Sequence, residues 1–310
     1  MTTSSGLHHI TAVAGDPKRN VAFYTRTLGL HMVKRTVNFD DPGTWHLYYG
    51  DETGSPGSIL TFFPWAGIGP GRPGRGDAVE IGFAIPPAAV SFWLDRLATL
   101  GVPHDPPVKR FGETVIGFKD PDGLFLELVA HPAAARLPGY ATEGVPAEMA
   151  IRGFSGVTLW VDAPEATAEA LAAGFGYREV GREGALHRFE AAGAAIGRRI
   201  DLRVVGGFPR GQMGAGSIHH IAFRAADDAA QGEMVAALRG LGVSATEQKD
   251  RQYFRSVYFR APSSTIFEIA TDDPGFAIDE DAARLGEALR LPPWLEPHRP
   301  QIEAALPELA

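Results

Sequence analysis

Two histidine pairs open apolar segments near opposite ends of the chain: Leu7-His8-His9-Ile10 and Ile218-His219-His220-Ile221. Two glutamates, Glu127 and Glu268, stand late in short segments rich in Phe and Leu or Ile. Imidazole and carboxylate are ligands for divalent metal ions. Two histidines with one carboxylate form a facial set, leaving three adjacent positions open on iron(II) or a similar ion. A lone strand histidine is ordinarily a packing residue, but two matched pairs point to metal chemistry. Cysteine is absent, which excludes disulfide frameworks, zinc fingers, iron–sulfur clusters and thiol nucleophiles.

The elements that must position these residues come as a repeat. Strand-like segments begin near residues 6, 78, 152 and 217. Each is followed by an amphipathic helical pattern ending in an apolar-Gly-apolar triplet, centred on Gly29, Gly101, Gly176 and Gly242. Asp16 can cap the first helix, Pro17 suits its first position, and Gly29 supplies the left-handed residue after it. Extended segments follow, at 45–49 and 58–63 in the first copy and 114–118 and 124–129 in the second. The predicted unit is therefore βαβββ. Residues 118–127 align with 259–268 without a gap, each span being two strands around a turn at Pro121 or Pro262. The predicted layout is a first domain over 6–131 (copies one and two), a linker over 132–150, a second domain over 151–271 and a helical tail over 272–310. The run 69–76, rich in Gly and Pro, reads as a flexible connector.

Aligning the copies puts Glu80 and Gly156 at the position of His9 and His220. Thr61 and a residue about Leu202 then fall at the position of Glu127 and Glu268. If neighbouring copies paired, neither pair would hold two histidines and one glutamate. Pairing copy one with copy four collects His9, His220 and Glu268. The expected fold is thus α+β, four modules forming two cupped mixed-sheet barrels, with modules one and four sharing the metal-bearing one. Strand alternation lets only one histidine of each pair point directly into the cup. His9 and His220 are assigned there because Thr11 shares that face, and His8 and His219 are assigned to flanking positions. Phe62, Phe223 and Phe267 are the expected aromatic lining. Of the unmatched histidines, His46 is the best candidate for a further role, because its strand belongs to the metal-bearing unit. The hairpin around Pro262 also brings Tyr258 opposite Glu268.

The chain has 310 residues, with 29 Lys+Arg against 37 Asp+Glu, a formal net charge of −8. That sign disfavours nucleic acid as a partner. No apolar run reaches the length that spans a bilayer, so no membrane association and a cytoplasmic setting are expected.

The paired opening histidines, the repeat and the late Phe-Glu together resemble the vicinal oxygen chelate superfamily of glyoxalases, bleomycin resistance proteins and extradiol dioxygenases. Within it, the runs 6–12 (GLHHITA), 37–50 (VNFDDPGTWHLYYG) and 58–64 (SILTFFP) resemble ring-cleaving dioxygenases of the hydroquinone type. The resemblance implies Fe(II), with Mn(II) as the alternative, held by His9, His220 and Glu268. It also implies flanking or catalytic roles for His8, His219, Arg251 and Tyr258, an aromatic substrate with O2, and a homo-oligomer. Arg251 lies seven residues before Tyr258, so reaching the same site requires a bend near Phe254. A catechol extradiol dioxygenase, a glyoxalase-like lyase or epimerase, and a metal-free aromatic-binding resistance protein are the alternatives. Thr61, standing where a second carboxylate ligand would sit, argues against the lyase.

Overall fold

The computed structural model describes residues 4–309. The first repeat folds as β1 (Leu7–Ala14), α1 (Pro17–Ala22), β2 (His31–Asn38), β3 (Asp41–Gly50) and β4 (Ile59–Pro64). The second comprises β5 (Ala78–Ile85), α2 (Val90–Thr99), β6 (Val108–Arg110), β7 (Glu113–Lys119) and β8 (Phe125–Ala130). The third comprises β9 (Phe154–Val161), α3 (Glu165–Phe175), β10 (Arg178–Glu183), β11 (Leu186–Glu190) and β12 (Arg199–Val204). The fourth comprises β13 (Ile218–Ala225), α4 (Asp228–Gly240), β14 (Lys249–Asp250), β15 (Phe254–Arg260) and β16 (Ile266–Pro274), and a last helix, α5, spans Arg299–Ala305.

Local chemistry sets the helix ends. The Asp16 carboxylate accepts from the Arg19 N–H, Pro17 starts α1, and Asp227 caps α4 by accepting from the Ala230 N–H. Gly29, Gly101, Gly176 and Gly242 all adopt left-handed φ, between 67° and 77°. A side chain there would strain the backbone, which is why glycine recurs at the same place in each unit.

The strands form two eight-stranded curled mixed sheets, in the orders β14-β15-β16-β13-β1-β4-β3-β2 and β10-β11-β12-β9-β5-β8-β7-β6. Antiparallel pairing of β1 with β13 joins the first and fourth repeats, and β5 with β9 joins the second and third. Within every repeat the first strand runs parallel to the last. Buried helix residues such as Tyr24, Trp93, Phe175 and Leu238 share one core with strand residues of both sheets. Phe175 of α3 stacks on Phe223 of β13 at 4.0 Å, which ties the two sheets together.

Two connections differ from the sequence reading. The run 69–76 is not a free connector: Gly71, Arg72 and Arg75 donate backbone hydrogen bonds to Ala215, Gln212 and Pro209, so the two inter-repeat connectors pair with each other. In the tail, expected to be helical over 272–310, residues 282–289 form only a single 3-10 turn, Ala282–Arg284. Gly286 ends it with φ 73° and lies so close to β2 that a Cβ would meet the Met32 carbonyl oxygen. The tail packs along the β2–β3 edge of the first sheet. Lys34 is fully buried beneath it, donating to the Phe276 carbonyl at 3.0 Å and pairing with Asp279 at 2.6 Å and with Glu280.

Candidate metal centre

Both histidine pairs sit on β-bulges. Leu7 pairs with Phe223 and His9 with Ala222, so His8 is an extra residue on β1. Thr11 pairs with His220 and Ala12 with Ile218, so His219 is an extra residue on β13. A bulge breaks strict alternation and re-aims a side chain. Adjacent histidines can then turn toward each other, which regular strands forbid. The His8 and His9 Nδ1 atoms lie 2.9 Å apart, and those of His219 and His220 lie 2.7 Å apart.

The Nε2 atoms of His9 and His220 are left facing a common point with Glu268. His9 Nε2 lies 3.3 Å from His220 Nε2 and 3.3 Å from Glu268 Oε2, and His220 Nε2 lies 3.0 Å from Glu268 Oε2. Ligand atoms ~2.1 Å from one ion are about 3.0 Å apart at right angles, so this triangle fits one octahedral face. All three side chains are buried, and the Glu268 Oε2 atom has no hydrogen-bond donor aimed at it. An orphaned buried carboxylate oxygen beside two imidazole lone pairs calls for a cation. The other carboxylate oxygen accepts from the Ser256 hydroxyl, a partner the sequence reading missed.

The charge states suit a ligand set. Burial pushes the Glu268 pKa up, but the adjacent His9 and His220 imidazoles outweigh it, holding the carboxyl well below its ordinary range. Burial lowers the pKa of His220, with the neighbouring Glu268 carboxylate opposing. Burial and the neighbouring His220 lower that of His219 to about 3. Burial and His9 likewise hold His8 neutral.

Above the triad lies a cavity of about 270 Å³, mostly apolar. Phe39, Phe63, Trp65 and Phe254 supply its aromatic walls, while His219, Arg251 and Tyr258 reach into it. The expected lining by Phe62, Phe223 and Phe267 is corrected: all three are fully buried in the core on the opposite strand faces. Phe62 stands one residue from Thr61 and Phe63, Phe223 three from His220, and Phe267 one from Glu268, an odd offset from a cup-facing residue in each case. His8 packs its ring on Phe254 at 5.1 Å and does not line the cavity.

Tyr258 pairs in register with Glu268, and its ring stands edge-on to His220 with centroids 5.8 Å apart. Burial and the Glu268 charge raise its pKa, so the phenol keeps its proton. Arg251 joins it through a turn rather than a strand: Gln252 takes φ 66° and Arg251 N–H bonds the Phe254 carbonyl. Arg251 Nε then donates to the Tyr258 hydroxyl at 3.2 Å, and Nη2 pairs with Asp40 at 2.9 Å on the β2–β3 turn.

The corresponding place in the second sheet is chemically different. Its four third-position residues are Glu80, Glu127, Gly156 and Asp201, the last being one residue before the Leu202 position that the alignment suggested. Arg110 pairs with Glu127 at 2.8 Å and Arg188 with Asp201 at 3.0 Å, while the Arg199 guanidinium lies against Gly156. Guanidinium groups there fill the space that the histidines surround in the first sheet.

The chain belongs to the Glyoxalase/Bleomycin resistance protein/Dioxygenase superfamily, whose family description matches residues 6–128, in its branch of ring-cleaving dioxygenases. Superfamily dioxygenases are metal-dependent. The chain is 46% identical over 301 residues to the "Putative ring-cleaving dioxygenase MhqO" of Bacillus subtilis (strain 168), covering 97% of this chain and 95% of that one. It is 30% identical to the chlorohydroquinone/hydroquinone 1,2-dioxygenase of Sphingobium indicum, covering 94% and 92%. The crystal structure of a "putative dioxygenase" from Bacillus subtilis superposes with a TM-score of 0.92 at 45% identity over 100% and 99% of the two chains. Glyoxalase I from Zea mays shares the fold at TM-score 0.64 and 14% identity over 86% and 92%.

Proposed function

We propose that this protein is an iron(II)-dependent dioxygenase that inserts both atoms of O2 into a hydroquinone-type ring, chlorinated and alkylated rings included. The observation that carries this reading is the His9–His220–Glu268 triangle at the floor of an aromatic-walled cavity. Both components fit a planar ring on a divalent ion. When bound there, iron(II) supplies Lewis acidity and an electron path between ring and O2.

The chain's own residues then have separable tasks. An imidazole that ligates through Nε2 carries its proton on Nδ1, so His9 donates to His8 and His220 donates to His219. Those bonds fix ring orientation and tautomer. They also leave His219, which is neutral, with its own proton on Nε2, the nitrogen not bonded to His220. Tyr258 accepts from Arg251 Nε, which frees its own O–H for the cavity. A substrate oxygen entering as a phenolate therefore meets donors from Tyr258, His219 and Arg251, and developing negative charge is stabilised by groups already in place. Tyr258 and His219 also hold protons at Oη and Nε2 for transfer to a reacting oxygen. The aromatic walls exclude water. Thr61, engaged with Thr11 and His46, offers no second carboxylate ligand of the kind a metal lyase requires.

The test is O2 uptake by metal-free protein reloaded anaerobically with iron(II), manganese(II) or zinc(II), against a panel of hydroquinones and catechols. Iron-dependent uptake with hydroquinones favoured is expected. Uptake by none of the loaded forms would end the reading.

A further inference from the structure

One chain of buried polar groups is not used by the chemistry above. The Tyr48 hydroxyl lies 2.9 Å from His46 Nδ1, His46 Nε2 lies 2.8 Å from the Thr61 hydroxyl, and Thr61 lies 2.8 Å from the Thr11 hydroxyl. Tyr48, Thr61 and Thr11 are fully buried. Tyr48 and His46 nevertheless both line the cavity, two residues apart on the cup-facing side of β3. Strand β3 stands two positions from β1 in the sheet, separated by β4. At roughly 4.8 Å per strand this is about 10 Å along the curled sheet from the His9 ligand. A group entering from that wall faces the part of a bound ring turned away from β1. It is placed for the far edge of a ring.

The relay fixes what Tyr48 offers. Neutral imidazole has one N–H and one lone pair, so both ring nitrogens of His46 are committed to Thr61 and Tyr48. With Nε2–H donating to Thr61, the Tyr48 proton goes to Nδ1 and the phenol oxygen faces the cavity as an acceptor. With the protons reversed along the chain, the same oxygen faces the cavity as a donor. One position thus serves a hydroxyl or a carbonyl oxygen, the two forms of a ring oxygen before and after oxidation.

We propose that Tyr48, positioned by His46, recognises the second ring oxygen of a para-dihydroxylated substrate and so selects hydroquinones over catechols. This rests on the ring-cleavage reading, which assigns the cavity to an aromatic ring. A site that hydrogen-bonds a substrate hydroxyl discriminates against a ligand lacking it, because the site's own polar group is then left unpaired.

The test measures binding and turnover separately on iron(II)-loaded protein. Under anaerobic conditions, calorimetry should give hydroquinone about tenfold tighter binding than phenol in the wild type, and near-equal binding in Tyr48→Phe. Under O2, Tyr48→Phe should raise KM for hydroquinone about tenfold with a smaller change in kcat, leaving catechol kinetics unaltered. His46→Ala should show the same loss, and the double variant should lose no more than either single one. Unchanged hydroquinone-to-phenol and hydroquinone-to-catechol ratios in a Tyr48→Phe protein of normal Tm and iron content would overturn the proposal. Loss of hydroquinone binding in Tyr48→Phe, with no turnover even in the wild type, would retain the recognition role and overturn ring cleavage instead.

Discussion

Holding the ion and handling substrate are separate tasks at the residue scale, and single substitutions should part them. His8 touches His9 and Phe254 but not the cavity. His8→Ala is therefore expected to weaken iron affinity about 10–100-fold while leaving kcat at saturating iron within a few-fold. Tyr258→Phe should do the reverse, lowering kcat on the order of 100-fold with iron affinity unchanged; metal titration beside steady-state kinetics checks both. His46 gives a pH prediction. Burial first, then the His9 and His220 charges, lowers its pKa well below the ordinary 6.5. The unfolded chain takes up that proton near 6.5 and the folded one does not, so the contribution is present above 6.5 and is lost as pH falls below it. The stability difference between metal-free wild type and His46→Gln should shrink between pH 7 and 5 in denaturant titrations. The sequence identified His9, His220 and Glu268 because ligand types recur at equivalent repeat positions. It did not reveal Ser256 or Tyr48, since a serine or tyrosine in a strand carries no signal until its neighbour across the sheet is known.

At the scale of elements, the bulges and turns decide who meets whom. A bulge is one extra residue in a pairing register, and register is a relation between two strands rather than a property of either. That is why alternation alone could single out His9 and His220 but not show that His8 and His219 bond to them directly. Phe62, Phe223 and Phe267 fail on alternation itself, each standing an odd number of residues from a cup-facing side chain on its own strand. The β2–β3 turn supplies another testable link, because Asp40 occupies one end of the Arg251 guanidinium. Asp40→Ala is expected to free that end for an anionic ring oxygen and lower KM about two- to fivefold. The effect is modest because the Asp40 side chain is 65% exposed and its pair is screened by solvent. Unchanged KM would show that Arg251 meets substrate without competition.

For the whole molecule, the tail closes the open edge of the first sheet. Lys34 lies under it with no exposed surface, held by Asp279, Glu280 and the Phe276 carbonyl. Removing one partner from a buried ionic cluster leaves uncompensated charge, so Lys34→Ala should cost about 3–5 kcal/mol and release the tail to proteolysis. Thermal unfolding and limited digestion would detect both. The tail also braces the cavity mouth, since Trp294 stands edge-on to Phe39 with centroids 5.7 Å apart. Its packing was not readable beforehand, because the tail belongs to no repeat and Gly286 serves a close approach to Met32 that only the assembled sheet creates.

Repetition in the chain determined the unit, its left-handed glycines and the three metal-ligand candidates, since identical local demands leave identical residues at fixed offsets. Only the tertiary structure decided that His8 and His219 bond their neighbours, that Tyr48 and His46 face the cavity, and that arginines fill the second cup. Those depend on strand register and on contacts between segments more than two hundred residues apart, for which a linear sequence holds no local trace.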